Sequence, residues 1–155
     1  MSPELKSVAV TVQPDEHPPL DYLGEYQDEP GPADRTIDRA DRGDMGRGEL
    51  RYFVSAQADY AEENYERMER FARGELASYG IRAVASVSVA GTVQRVESPG
   101  LWGVESDAGS NYAGEVASEQ LHILAEILDS FGIDRPVPLE GEWTDDASWS
   151  GTVTE

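Results

Sequence analysis

The stretch IRAVASVSVAGTVQRVESPGLWGVE, residues 81–105, decides the fold reading. Ile81, Ala83, Ala85, Val87 and Val89 recur at every second position, the period of a strand with one buried face. Ala90-Gly91 suits a two-residue hairpin turn, so Thr92 to Val96 reads as the returning strand. Ser98-Pro99-Gly100 interrupts that strand, and Leu101 to Glu105 resumes it. Two adjacent strands, the second of them broken, exclude an all-helical chain.

Helical periods flank this hairpin on both sides. Upstream, Ala61, Tyr65, Met68, Ala72, Leu76 and Tyr79 fall at spacings of three and four, which predicts a helix over 59–79. Asp59 with Glu62 makes a start resembling a capping box, and Gly80-Ile81 an end with glycine in the left-handed position. Downstream, Ala113, Val116, Ala117, Leu121, Leu124, Ile127, Leu128 and Phe131 form the inward stripe of a second helix over 110–131, stopped by Gly132-Ile133. Both helices run from a tyrosine (Tyr60, Tyr112) to a glycine twenty residues on, an echo that shared caps and helical period explain more simply than duplication does.

Near the N-terminus, Val8, Val10 and Val12 alternate in a strand over 6–12, and 49–55 reads as another. From Pro14 to Gly48 the chain is rich in Pro, Gly, Asp and Arg with short apolar islands, so it reads as an irregular arm. Pro136 and Pro138 confine a last strand, 135–139, to an edge. The expected organisation is an N-terminal strand (1–13), an irregular arm or linker (14–48), an α+β core (49–139) and an acidic tail (140–155). The order strand–helix–strand–strand–helix matches two long helices on a small antiparallel sheet, a split βαβ or ferredoxin-like sandwich.

Composition bounds the class. The 155 residues fit one domain, carry no cysteine for disulfides or thiolate metal sites, and contain no apolar run long enough for a bilayer. The first residues lack the basic and apolar regions of a signal peptide, so the expected compartment is cytoplasmic. Thirty-one acids against twelve bases give a net charge of −19, and Lys6 is the only lysine. Loss of lysine favours a hydration layer suited to molar salt, where the Debye length is ~3 Å, over a surface that imitates DNA phosphates. Residues 96–155 hold thirteen of the acids and one base, Arg135.

Several blocks, namely residues 21–26, 37–39, 51–53, 65–69 and especially Gly100-Leu101-Trp102-Gly103-Val104-Glu105-Ser106-Asp107, occur in this order. Over residues 20–133 the chain thereby resembles a family of small uncharacterised proteins encoded by tailed viruses of microbes. The resemblance implies a viral source and carries over no catalytic residue.

The block 101–107 is the leading site candidate. On a regular strand Trp102 and Val104 point one way while Glu105 and Asp107 share the other, beside the start of the next helix. Two carboxylates there could hold a cation or a basic side chain. The simpler reading packs Trp102 in the core, uses Gly103 for close approach and lets Asp107 or Ser110 cap the helix. Glu119 and His122 have Glu-x-x-His spacing, but a di-iron site needs a second copy, so His122 reads as solvated between Glu119 and Glu126. Residues 43–48 lack the ending of a phosphate loop and read as flexible linker. Arg67, Arg70 and Arg73 are expected to pair with Glu63, Glu66 and Glu69. No Ser-His-Asp or Cys-His set can be assembled, and no metal or cofactor is expected.

Trp143 and Trp149, aromatic in an acidic tail, read as exposed anchors for a protein partner. The leading functional expectation is therefore a non-enzymatic viral accessory protein that binds a host protein, with DNA mimicry as its special case. No direct nucleic-acid binding and no membrane are expected, and self-association is left open. The alternative is a minor structural protein of the virion using the 14–48 arm, and the third is an enzyme acting through Glu105 and Asp107.

Overall fold

The computed structural model describes residues 2–144 and 149–155. In chain order the elements are β1 (Glu4–Asp15), β2 (Gly24–Gln27), β3 (Thr36–Asp38), α1 (Arg39–Arg42), β4 (Tyr52–Ser55), a 3₁₀ turn (Ala58–Tyr60), α2 (Ala61–Ala72), β5 (Ser78–Val89), β6 (Thr92–Glu97), β7 (Leu101–Glu105), α3 (Ser110–Ser130), β8 (Glu140–Trp143) and β9 (Thr152–Thr154). The fold class is α+β, divided into two compact units: Met1–Glu16 with Ser78–Glu155, and His17–Ala77.

The first unit is a six-stranded sheet ordered β6-β5-β1-β8-β9, with β7 also paired to β5. The alternation foreseen in β1 and β5 becomes an antiparallel ladder in which Val8 faces Ala85, Val10 faces Ala83 and Val12 faces Ile81. Ala90 and Gly91 both take positive φ, the conformation of a tight hairpin turn, and carry β5 into β6. α3 lays Ala113, Val116, Ala117, Leu121, Leu124 and Leu128 into the same core as Val10, Val12, Ile81 and Val87. Each fully buried leucine or valine contributes ~1.5–3 kcal/mol by leaving water, which is why this face organises the unit. The helix ends as its sequence foretells: Ile133 N–H donates to Leu128 O (3.0 Å) and Gly132 N–H to Asp129 O (3.0 Å). Phe131, expected inward, is the C-cap residue of α3 and is exposed.

The second unit is a three-stranded antiparallel sheet ordered β2-β4-β3, with Ile37 opposite Phe53 and Tyr26 opposite Phe53 on the other side. α2 brings Tyr65 and Met68 onto Leu23, Ile37 and Phe53. The Phe53 ring lies 5.5 Å from those of Tyr26 and Tyr65, within the range of favourable tilted aromatic contacts.

Four expectations need correction. The stretch 14–48 is not an irregular arm: it contains the end of β1, then β2, β3 and α1, the last three folded against β4 and α2. The first long helix does not reach Tyr79. It stops at Ala72, because Gly74 takes φ +75° and donates to Phe71 O while Glu75 N–H donates to Arg70 O. Gly80, read as the stop, lies inside β5, so the echo between the two helices has no structural counterpart. Consequently α2 and α3 belong to different units, and the six-stranded sheet carries one long helix where a split βαβ sandwich would carry two. Finally, 135–139 forms no strand; the sheet continues at β8, parallel to β1.

Candidate functional site

Trp102 reaches the surface because of one inserted residue. β7 pairs with β5 through Tyr79↔Val104 and then Ile81↔Leu101, so three steps on β7 match two on β5. Gly103 supplies the conformation with φ +85°; a Cβ placed there would meet nothing within 4 Å, so the requirement is backbone geometry and not close approach. The bulge turns Trp102 and Val104 to different environments. Val104 is 2% exposed, whereas Trp102 is 45% exposed. This overturns both the expectation that they point together and the packing of Trp102 in the core.

The indole of Trp102 instead covers Gly80, where an added Cβ would lie 2.3 Å from its Cε3. Beside it, the Arg82 guanidinium sits 5.6 Å from the Trp102 ring, held by Glu97 (2.7 Å) and Gln13 (2.5 Å). Arg95 also reaches Glu97, at 2.5 Å. The break between β6 and β7 is fixed from within: Ser98 Oγ accepts from Ala83 N–H (2.9 Å), and Gly100 N–H donates to Gln120 Oε1 (2.9 Å). Val89, Val93, Leu101 and Trp102, all exposed, thus share the β5–β7 region of one sheet.

The other candidates divide. Glu105 is half-buried opposite Ser78 and Asp107 is exposed. Among the described residues no group of three or more His, Cys, Asp or Glu side chains is placed to hold a metal ion. Gly109, not Asp107 or Ser110, stands at the N-cap of α3. His122 is exposed and lies 3.4 Å from Glu126. Gly43 closes α1 and Gly46 N–H donates to Glu49 Oε2 (2.9 Å), so residues 43–48 form turns where a linker was expected.

The tail expectation fails at its two aromatic anchors. Trp149 is 4% exposed and meets the Tyr79 ring edge-on at 5.5 Å, while Trp143 is half-buried 6.4 Å from it. The segment after Leu139 is tied into the sheet. Thr144 N–H donates to Val10 O (3.1 Å), Ser118 Oγ donates to Thr154 O (2.6 Å), and Glu155 Oε1 accepts from Arg135 Nη1 (2.7 Å) and Leu139 N–H (3.2 Å). Trp149 is a core residue, not an outward anchor. Residues 145–148 of that tail lie outside the described residues.

A charged cluster in the second unit escaped the sequence reading. Arg39, 5% exposed, donates to Glu49 (2.5 Å) and Leu50 O (2.8 Å), pairs with Glu69 (3.1 Å) and lies 4.7 Å from the Tyr26 ring. Tyr26 donates to Glu69 Oε1 (2.9 Å), and Tyr65 to Asp44 Oδ2 (2.9 Å). Burial pushes the Tyr65 phenol up to about 12, with its bond to Asp44 adding to the shift and Arg39 opposing it. Burial, then the bond to Glu69, raises Tyr26 as well. Glu69 is thus turned inward, and Arg73 pairs with Glu75 (2.8 Å), unlike the helix-face pairing expected. Two open clefts of about 510 and 390 Å³ border this cluster and share Glu49, Glu69 and Arg73. Glu49 and Glu69 share Arg39, and Arg73 pairs with Glu75, so each of these three charges is already engaged within the chain.

No family model matches this chain, and no curated protein or solved structure matches it. Among the described residues, no helix is long and apolar enough to cross a membrane.

Proposed function

We propose that this chain is a non-enzymatic accessory protein of a tailed virus, acting by binding a protein partner through the surface around Trp102. The observation that carries the reading is the 45% exposed indole resting on Gly80 beside Arg82. Tryptophan and arginine are the side chains most enriched where interface energy concentrates. The viral source rests on the resemblance centred on Gly100–Asp107, which includes this tryptophan. The acidic, lysine-poor composition supports a host rich in salt.

DNA mimicry is the special case favoured by one feature of α3. Glu115, Glu119, Glu126 and Asp129 all fall on exposed positions of the helix that covers the larger sheet. A partner read in this way is arginine-rich and its binding weakens steeply with salt. The virion reading drew on a free arm at 14–48, and that segment instead contributes β2, β3 and α1 to the smaller unit.

The test is affinity capture from host extract at native salt, run in parallel with wild type, Trp102→Ala and Trp143→Phe. A partner recovered by wild type and Trp143→Phe but lost with Trp102→Ala supports the proposal. Equal recovery by all three removes the surface from consideration.

A further inference from the structure

β6 is an outer strand of the six-stranded sheet, paired on one side only, with β5. Ser98 N–H donates to Ala83 O, so the alternation of an antiparallel ladder directs the backbone groups of Val96 and Gln94 toward β5. Those of Val93, Arg95 and Glu97 face away, toward no other strand among the described residues. Natural edges are usually blunted by proline, by charged side chains (lysine above all), by a bulge or by brevity. β6 has six residues with no proline or lysine and a continuous register against β5, and Val93 on it is 67% exposed.

What β6 does carry is one charge of each sign, two residues apart on the same face and 2.5 Å from each other within the strand. Glu97 also holds Arg82, and a contact across a two-fold exchanges the Arg95–Glu97 pair within each copy for one between copies. Arg95 and Glu97 flank Val96. A strand of this order is complementary to itself when two copies run antiparallel about Val96, because each arginine then lies opposite the other copy's glutamate. Both of these residues belong to the set whose backbone groups face outward, so the same register pairs their backbone groups and their charges together. Val93 falls opposite Pro99, which has no N–H, so the ladder spans residues 95–97. Neither a parallel register nor one centred on Arg95 does both, the latter opposing two arginines.

We propose that β6 is a pairing edge for a second copy of this chain, the two strands joined antiparallel about Val96 with Arg95 of each facing Glu97 of the other. The remainder of the molecule opposes this contact in dilute buffer, since each copy carries −19. Salt removes the long-range repulsion while leaving the ladder and the contact pairs, so association strengthens as salt rises. That direction is the reverse of an interface driven by opposite net charges.

Sedimentation of the full chain at about 0.2 M and about 3 M potassium chloride, spanning Debye lengths from roughly 7 to 2 Å, tests the contact. Wild type is expected to be a monomer at low salt and to dimerise at high salt. Arg95→Glu and Glu97→Arg each place like charges across the two-fold and are expected to weaken the dimer about tenfold at the higher salt. The double exchange restores opposite charges and is expected to recover it, with circular dichroism confirming that all variants fold. A wild type monomeric at both salts overturns the proposal, as does a dimer indifferent to the single exchanges or not recovered by the double one.

Discussion

The indole of Trp102 lies on the backbone of Gly80, where even a methyl group would come within 2.3 Å of the ring. The contact joins two strands through a bulge at Gly103 and leaves the indole 45% exposed. Gly80→Ala must therefore displace the ring or bend β5. Overpacking of this kind is expected to lower stability by ~1–3 kcal/mol, measured by chemical denaturation, and to shift tryptophan emission. An unchanged midpoint and spectrum would show that the ring does not occupy this place.

Neighbouring positions of β5, Tyr79 and Gly80, receive tryptophan in opposite ways, and mutation separates them. Trp149→Ala empties a core position against Tyr79 and is expected to cost ~3–5 kcal/mol. Trp102→Ala removes a half-exposed ring and is expected to cost much less. Equal losses in a denaturant titration would contradict this assignment.

Arg39 tests the smaller unit. Its side chain is 6% exposed and balances Glu49 and Glu69. Arg39→Ala strands Glu69, which is itself largely buried, and breaking a buried pair from one side costs ~3–5 kcal/mol. Arg73→Ala, on an exposed pair with Glu75, is expected to change stability by ~0–1 kcal/mol. A loss for Arg39→Ala no greater than for Arg73→Ala would remove the cluster's structural role.

The pH dependence has two limbs. The bidentate bond from Arg51 holds the Asp38 carboxyl at about 2, below its ordinary 3.8. A depressed carboxyl contributes stability above its unfolded pKa and loses it as pH falls through the folded one, here between about 4 and 2. Tyr65, raised from 10.0 to about 12, contributes stability that is complete below pH 10 and lost as pH rises toward about 12. Thermal melts of wild type and Tyr65→Phe across the alkaline range check the second limb. The variant's decline with pH should be shallower, and parallel curves would refute the assignment.

Much of the larger unit was legible because its signals are periodic. Val8, Val10 and Val12, the Ala90-Gly91 turn and the Leu121–Leu124–Leu128 stripe ending at Gly132 each state local structure in a few residues. The smaller unit offers strands of three and four residues, too short for a period to emerge, and they are held by packing on Phe53 from distant parts of the chain. Leu76 and Tyr79 continue the spacing of α2 by coincidence, so Gly80 looked as good a stop as Gly74. Acidic neighbours disguised Trp149 as a surface residue, and nothing in the spacing of Arg39 announced its burial. At Trp102 one extra residue reversed the face, which alternation alone cannot foresee.

Trp102 is the outward tryptophan and Trp149 the inward one. Acrylamide quenching of two folded variants that keep a single tryptophan each, Trp102 or Trp149 with the others replaced by Phe, measures this directly. Strong quenching of Trp102 with Trp149 protected is the expected result. Quenching of Trp149 as strong as that of Trp102 would contradict it.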